Sequence, residues 1–169
     1  MQNLPPDYIA GFVDGEGCFA LKFRRDVKQN RKNKPVYFYW DIEFAIVLRG
    51  DDRELLEKIQ STLDCGRISI SKKGGEARYS VADTDSLNEK IVPFFLKHPL
   101  YGKKRFDFDL WKEAAEIFKR NQRTAINIPK TGKKGFSKMP WRSEDLTRLR
   151  AIHEEMRKYK SSVKEWKWL

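Results

Sequence analysis

The stretch that decides the fold of this 169-residue chain is Tyr8-Ile9-Ala10-Gly11-Phe12-Val13-Asp14-Gly15-Glu16-Gly17. Pro5 and Pro6 come just before it, and the first turn of a helix tolerates proline because the missing N–H would have no partner there. Within the stretch, Ile9, Phe12 and Val13 recur at helical spacing on one apolar stripe. We therefore predict a helix that ends at Gly17, which would supply a left-handed cap.

Two features of this helix oppose its stability. Gly11 and Gly15 each cost roughly 1 kcal/mol relative to alanine, and Asp14 and Glu16 lie in the last turn, where the helix dipole disfavours carboxylates. Glycines four residues apart let another backbone approach closely. Carboxylates beside the free carbonyls of a helix end suit a hard cation. The sequence therefore predicts a close-packed helix pair that ends in a magnesium-type site.

Ile9 to Gly17 resembles the nine-residue signature of the LAGLIDADG homing endonucleases, with a residue on every motif position. Glu16 falls on the position of the metal-binding acid, as glutamate in place of aspartate. The resemblance implies that Glu16 and the Gly15 carbonyl bind Mg²⁺ or another divalent cation, and that Glu16 is catalytic. It also implies a dimer interface, formed by Ala10, Gly11, Asp14 and Gly15. An ordinary amphipathic helix that ends in an Asp-Gly and Glu-Gly turn stays open as the alternative.

The charge of the chain indicates a polyanionic partner. The chain contains 35 Lys and Arg residues and 24 Asp and Glu residues, which give a formal net charge of +11. Residues 103–169 contain 19 of the basic residues but only 9 of the acidic ones. With 40% hydrophobic and 13% aromatic residues, the chain can form a folded core. Ribosomal-type or membrane-surface binding would give a similar charge, so charge alone does not decide for nucleic acid.

Cysteines and hydropathy indicate the compartment. Cys18 and Cys65 form no disulfide or zinc pattern, so we expect free thiols. We find no membrane-length apolar run and no signal or transit segment before Pro5. The expectation is an intracellular protein that binds no membrane and that, if it acts in a mitochondrion or chloroplast, is encoded there.

Alternating patterns predict four strands. Residues 18–24 and 36–48 form the first pair, and residues 67–72 and 76–82 form a second hairpin. Their outer faces and the first loop are basic or polar, with two acids that could accept hydrogen bonds from cytosine amino groups. Solvated hairpins are the alternative. The predicted DNA-binding residues are Lys22, Arg24, Arg25, Lys28, Arg31, Lys32, Lys34, Tyr37, Tyr39, Asp41, Glu43, Arg67, Ser69, Ser71, Lys72, Arg78 and Ser80.

The order helix, two strands, helix, two strands, helix resembles the αββαββα unit of the family over roughly residues 4–121. The resemblance implies an α+β fold with a saddle-shaped, four-stranded antiparallel DNA-binding sheet and C-terminal helices. We predict a core over residues 1–121, and a basic loop and helix over residues 122–169 packed on the same domain. Helices are predicted over residues 53–63, 85–97, 106–120 and 143–160.

Two basic clusters flank the helix predicted over residues 106–120. In the family, a lysine just before this helix reaches the cleavage centre. Lys104 is the better match and Lys103 the second choice, and plain surface lysines stay open. After this helix, a polar connection from Asn121 to Trp141 could lie along the DNA backbone through Lys130, Lys133 and Lys134.

One acidic motif is insufficient for metal-assisted phosphodiester cleavage, which needs cations on both the attacking and the leaving oxygen. The chain contains no second motif. We therefore predict a homodimer whose two Glu16 carboxylates lie beside the symmetry axis. The resemblance implies a site-specific homing endonuclease that makes a magnesium-dependent double-strand break with short 3′ overhangs in a long, pseudo-palindromic site. The alternatives are a maturase that acts on intron RNA, alone or in addition to cleavage, and a DNA-binding protein of the same fold that does not cleave.

Overall fold

The computed structural model describes residues 3–27, 29–30, 32, 36–73, 75–126 and 141–161. Six predicted DNA-binding residues therefore lie outside the described residues: Lys28, Arg31, Lys34, Lys130, Lys133 and Lys134. The side chains of Arg25 and Tyr37 also lie outside the described part of the chain, although their backbone is in the sheet.

Helix α1 spans Pro6–Glu16, with Pro6 at its first position and Ile9 and Val13 fully buried. The prediction of a left-handed cap at Gly17 was wrong, since Gly17 is extended, with φ −74° and ψ 160°. Its lack of a side chain has a steric reason instead, because a Cβ there would lie 2.5 Å from Val13 Cγ1. The helix consequently passes into the first strand without an intervening loop.

Four strands form one antiparallel sheet in the order β1-β2-β4-β3. Strand β1 spans Gly17–Val27, β2 spans Val36–Arg49, β3 spans Arg67–Ile70 and β4 spans Glu76–Val81. Phe19 pairs with Phe44 and Phe44 pairs with Val81, so that apolar residues of three strands lie in one row. This row is the floor of the core.

Helices cover the inner face of the sheet. They are α2 (Arg53–Leu63), α3 (Thr84–Ser86), a π-helical turn (Leu87–Ile91), α4 (Val92–Lys97), α5 (Lys104–Ile126) and α6 (Ser143–Ser161). The core beneath them is aromatic: the Phe19 ring packs against Phe44, Phe95, Phe108 and Trp111 at centroid distances of 5.1–5.5 Å. The predicted α+β fold with a four-stranded antiparallel sheet is confirmed.

Helix α6 is held against α5 by a buried polar cluster. Asn121 Nδ2 donates to Asp145 Oδ2 at 2.8 Å, and Arg120 donates to both oxygens of the same carboxylate. Leu149, Ile152 and Met156 complete the contact as buried side chains. The division of the chain at residue 121 stays a prediction. Within the described residues, every helix is too short or too polar to cross a bilayer.

Candidate active site and nucleic-acid interface

The predicted metal ligands lie at the junction of α1 and β1. Glu16 is the last residue of α1 and is exposed, and Gly15 beside it is exposed as well. The carbonyls of this turn point to a lysine: Lys104 Nζ donates to Val13 O at 3.0 Å and to Gly15 O at 3.1 Å. A carboxylate, two carbonyl acceptors and an ammonium group from distant parts of the chain are thus brought together.

The structure places Lys104, and not Lys103, in this group. Helix α5 begins at Lys104, two residues before the predicted start, so this side chain belongs to the first turn of the helix and is half-buried. Burial lowers the pKa of Lys104 below its ordinary value, although the nearby carboxylates of Asp14, Glu16 and Asp107 act in the opposite direction. Lys103 is exposed.

The Asp14 carboxylate accepts hydrogen bonds within its own chain, and its place at a dimer interface stays a prediction. Oδ2 accepts hydrogen bonds from the backbone N–H of Tyr101 at 2.8 Å and of Gly102 at 3.0 Å. Sequence reasoning missed this contact. The available signal was Gly102 itself, a small residue shortly before a helix that carries a candidate lysine.

The face of α1 that turns away from the core carries the two interior glycines. A Cβ built on Gly11 or Gly15 would meet nothing within 4 Å in the described part of this chain. Tyr8 and Phe12 stack on the same helix at a centroid distance of 6.2 Å, and Tyr8 is 48% exposed. Ala10, which we predicted to lie at the interface, is only 5% exposed and belongs to the core of its own chain.

The outer face of the sheet carries a network of ion pairs. Glu43 Oε2 accepts from Arg78 at 2.7 Å and from Lys22 at 3.4 Å, and Arg24 pairs with Asp41 at 2.8 Å. The three basic side chains remain between 38% and 46% exposed. They are therefore available to phosphates, whereas the two acids are engaged by neighbours instead of projecting freely as the predicted base contacts.

The remaining predicted contacts of the sheet fall into two groups. Tyr39, Arg67 and Ser69 are exposed on it, whereas Ser71 and Lys72 are exposed in the turn after β3, which ends two residues before the predicted strand end, and Lys32 is exposed in the first hairpin loop. Ser80 is only 5% exposed, a correction to its predicted role on the reading face. Ser80 on β4 pairs with Ala45 on β2. Along the two strands, this pair lies between the position of Arg78 and that of Glu43. The Arg78 side chain reaches past them to Glu43, which explains why small residues occupy these positions.

Glu43→Gln should reduce the stability of the chain in a pH-dependent way. Burial would raise the pKa of Glu43, but the hydrogen bond and charge of Arg78, with those of Lys22, hold this pKa below its ordinary value. The ion pairs therefore stabilise the fold above the pKa of the unfolded chain, and this contribution disappears as the pH falls through the lower folded pKa. We expect a loss of about 0.5–1 kcal/mol in the free energy of unfolding at pH 7.

The measurement is urea denaturation of both chains at pH 7 and at pH 3. The difference between Glu43→Gln and the wild type should shrink as the pH is lowered to 3, because protonation of Glu43 progressively removes the same ion pairs that the substitution removes at pH 7. Glu76→Gln, at an exposed carboxylate of the same sheet, is the control and should have little effect at either pH. A difference that is equal at both pH values would contradict the ion-pair explanation.

A divalent cation would find ligands of the right kind here, but too few of them. Glu16 and the Gly15 carbonyl offer hard oxygen atoms, and Gly15 O keeps a second lone pair beside the one that Lys104 uses. In the ranges that the structure describes, no three His, Cys, Asp or Glu side chains lie close enough to form a metal site. Since Mg²⁺ takes about six oxygen ligands, water, phosphate or a second protein unit would have to supply the rest.

Comparison with known proteins identifies related sequences. Residues 9–115 match the sequence profile of the LAGLIDADG endonuclease family. A probable intron-encoded endonuclease 2 of Neurospora crassa is 32% identical over 127 residues, which are 73% of this chain and 26% of that protein. A probable intron-encoded DNA endonuclease 1 of Mycosarcoma maydis is 32% identical over 99 residues, 59% of this chain and 33% of that protein. The chain therefore spans at most about a third of these relatives.

Solved structures give the same result. I-SmaMI, solved with an uncleaved DNA target in the presence of calcium ions, has a TM-score of 0.68 and 26% identity over 93% of this chain and 46% of that chain. The homing endonuclease I-TnaI shares the fold, with a TM-score of 0.67 at 24% identity, over 96% of this chain and 99% of that chain. The family profile matches more than half of the length of this chain, which shows that this chain belongs to the LAGLIDADG endonuclease family.

Proposed function

We propose that this chain is a site-specific homing endonuclease that acts as a homodimer and makes a magnesium-dependent double-strand break with short 3′ overhangs in a long, pseudo-palindromic DNA site. One observation carries the proposal. The Lys104 ammonium lies on the carbonyls of Val13 and Gly15, at the end of a helix whose last residue is the exposed Glu16.

Glu16 and the Gly15 carbonyl would hold the divalent cation. Such a cation, when bound, supplies a Lewis acid and lowers the pKa of a bound water. The chain itself supplies the Lys104 ammonium, which is held in place by two hydrogen bonds before substrate arrives. A fixed positive charge stabilises the negative charge that develops on a phosphate, at no cost of reorganisation.

The outer face of the sheet would bind the duplex. Lys22, Arg24 and Arg78 are partly exposed cations in one region of this face. Their ion pairs with Asp41 and Glu43 hold them over the sheet before DNA arrives, and phosphates would compete with these acids for the same donors. We therefore propose that the acids set the direction of the basic side chains, in addition to any contact with bases.

The need for a second protein unit supports the homodimer in this proposal. The open glycine face of α1 and the shortage of metal ligands among the described residues of one chain both indicate a partner. This chain aligns with 46% of I-SmaMI and with 99% of I-TnaI. Since the chain contains one copy of the motif, we propose that its partner is a second copy of itself.

The test is direct. Purified protein is incubated with a library of random DNA duplexes in Mg²⁺ or in EDTA, and cleaved molecules are sequenced at their ends. We expect cuts in Mg²⁺ alone, at related sites with approximate two-fold symmetry and short 3′ overhangs. Absence of cleavage in both conditions, with tight binding to structured RNA, would favour the maturase alternative.

Lys104→Ala should lower the single-turnover cleavage rate about 100-fold, because removal of one preorganised donor costs about this much where charge develops. DNA affinity should change little, since the side chain contacts the α1 carbonyls instead of the sheet face. Lys103→Ala is the matched control from the adjacent, exposed position, and its rate should stay within a few-fold of the wild type. Equal losses in both variants would contradict the assignment of Lys104.

A further inference from the structure

Asp14 joins the end of α1 to the segment that precedes α5. Its Oδ2 accepts the backbone N–H groups of Tyr101 and Gly102 at 2.8 and 3.0 Å. A charged acceptor makes these bonds stronger than bonds between neutral groups. Glu16, two residues further on, is exposed. The two acids of this turn therefore face different surroundings.

The contact with Asp14 requires a residue without a side chain at position 102, and Gly102 meets this requirement. A Cβ at this position would lie 3.0 Å from Asp14 Oδ1 and 3.2 Å from its Cγ, closer than ordinary van der Waals contact. Gly102 is also part of the start of α5, because its carbonyl accepts the N–H of Arg105 at 3.2 Å. A carboxylate that holds Gly102 consequently holds the beginning of the helix.

Lys104 lies inside this first turn. Its ammonium donates to Val13 O and Gly15 O, the carbonyls of the two residues on either side of Asp14. Four hydrogen bonds thus connect the same two segments: the Asp14 carboxylate accepts two of them and the Lys104 ammonium donates the other two. Since a lysine stem is long and flexible, the position of its nitrogen depends on how firmly its backbone is held.

We propose that Asp14 is a positioning residue for cleavage: by binding the N–H groups of Tyr101 and Gly102 it fixes the first turn of α5, and so holds the Lys104 ammonium against the α1 carbonyls beside Glu16. The catalytic part of this inference rests on the proposed function, whereas the placement of Lys104 does not.

The first experiment measures the placement without cleavage. The wild type, Asp14→Ala and Asp7→Ala are treated with an amine-acylating ester at one pH, and labelling at Lys104 and Lys103 is quantified by mass spectrometry. In the wild type, Lys104 should be labelled several-fold more slowly than the exposed Lys103. Asp14→Ala should raise Lys104 labelling at least about threefold, because the ammonium would no longer be held at the Val13 and Gly15 carbonyls. Asp7→Ala changes an exposed acid on the same helix and should leave both lysines unchanged.

The second experiment separates positioning from general damage to the fold. Asp14→Ala should lower the single-turnover cleavage rate about tenfold, since misplacement of a catalytic group by about 1 Å is costly, and DNA affinity should stay within about twofold. Asp14→Asn keeps one acceptor oxygen for the two N–H groups, so it should recover most of the rate and of the protection of Lys104. A role limited to stability would not give this rescue at a temperature where all variants are folded.

If Asp14→Ala does not fold, Gly102→Ala replaces it. This change keeps the carboxylate and places a Cβ 3.0 Å from Oδ1, which should push the segment away and raise Lys104 labelling to a smaller extent. Unchanged labelling of Lys104 in a folded Asp14→Ala chain, or in Gly102→Ala where that variant replaces it, would overturn the proposal. A wild type that cuts no duplex would refute the proposed function, and the labelling result would still decide whether Asp14 positions Lys104.

Discussion

Glu16→Gln should lower the single-turnover cleavage rate by at least about 10³-fold, because a neutral amide oxygen binds a divalent cation much more weakly than a carboxylate does. The substitution keeps the size of the side chain. Glu16 is exposed at the end of α1, so the fold, the pairing of two chains and DNA binding should all persist. The measurement is single-turnover cleavage of the selected duplex in Mg²⁺, together with DNA affinity in Ca²⁺.

Asp7→Asn serves as the control for this variant. Asp7 is an exposed acid near the opposite end of the same helix, beside His98, and its neutralisation should leave the cleavage rate within a few-fold of the wild type. Cleavage by Glu16→Gln at a rate comparable with that of the wild type would show that the metal assignment is wrong, even if the chain remains an endonuclease.

Gly15→Leu should abolish pairing of two chains without damage to the single chain. Gly15 is in a helix, where leucine is favoured over glycine by roughly 0.5–1 kcal/mol, and a Cβ there meets nothing within 4 Å in the described part of its own chain. We therefore expect unchanged or slightly higher stability to urea. If the glycine face packs against a second helix, the added side chain prevents this contact, and both pairing and cleavage should fall by at least about 100-fold.

The measurement is sedimentation of the protein with and without its duplex, beside urea denaturation. Gly75→Leu is the matched control, since a Cβ at Gly75 also meets nothing within 4 Å, and Gly75 lies in the turn between β3 and β4, away from α1. A Gly15→Leu chain that still pairs on DNA and cuts would refute the close-packing argument. A chain that unfolds would show that the glycine is needed within the single chain.

The sequence predicted those parts of the fold that depend on long, regular patterns. Helix α2 spans Arg53–Leu63 as predicted, because Leu56, Ile59 and Leu63 recur at helical spacing and are buried on one face. In β2, Ile42, Phe44 and Ile46 are buried on one face as the alternation indicated. Each of these patterns repeats over several residues, so that tertiary contacts reinforce them.

What could not be predicted depends on contacts between distant segments. The contacts that favour Lys104 over Lys103 follow from where α5 begins, and the segment before α5 is bound by Asp14, nearly ninety residues earlier in the chain. The alternation along β4 places Ser80 on the face opposite to that of its buried neighbours, but the long Arg78 side chain covers it. Periodicity predicts on which face of a strand a side chain lies. It does not predict whether a neighbouring side chain covers that residue.

The direct passage from α1 into β1 has a consequence for how a target would be measured. Glu16 ends the helix and Gly17 begins the strand, so no loop separates the carboxylate from the sheet that we propose to bind the duplex. In a symmetric pair of chains, the distance between the two recognition surfaces would then be fixed by the fold of the protein. Because each base pair advances the duplex by about 3.4 Å, a target lengthened by one step at its centre would no longer be in register with both halves.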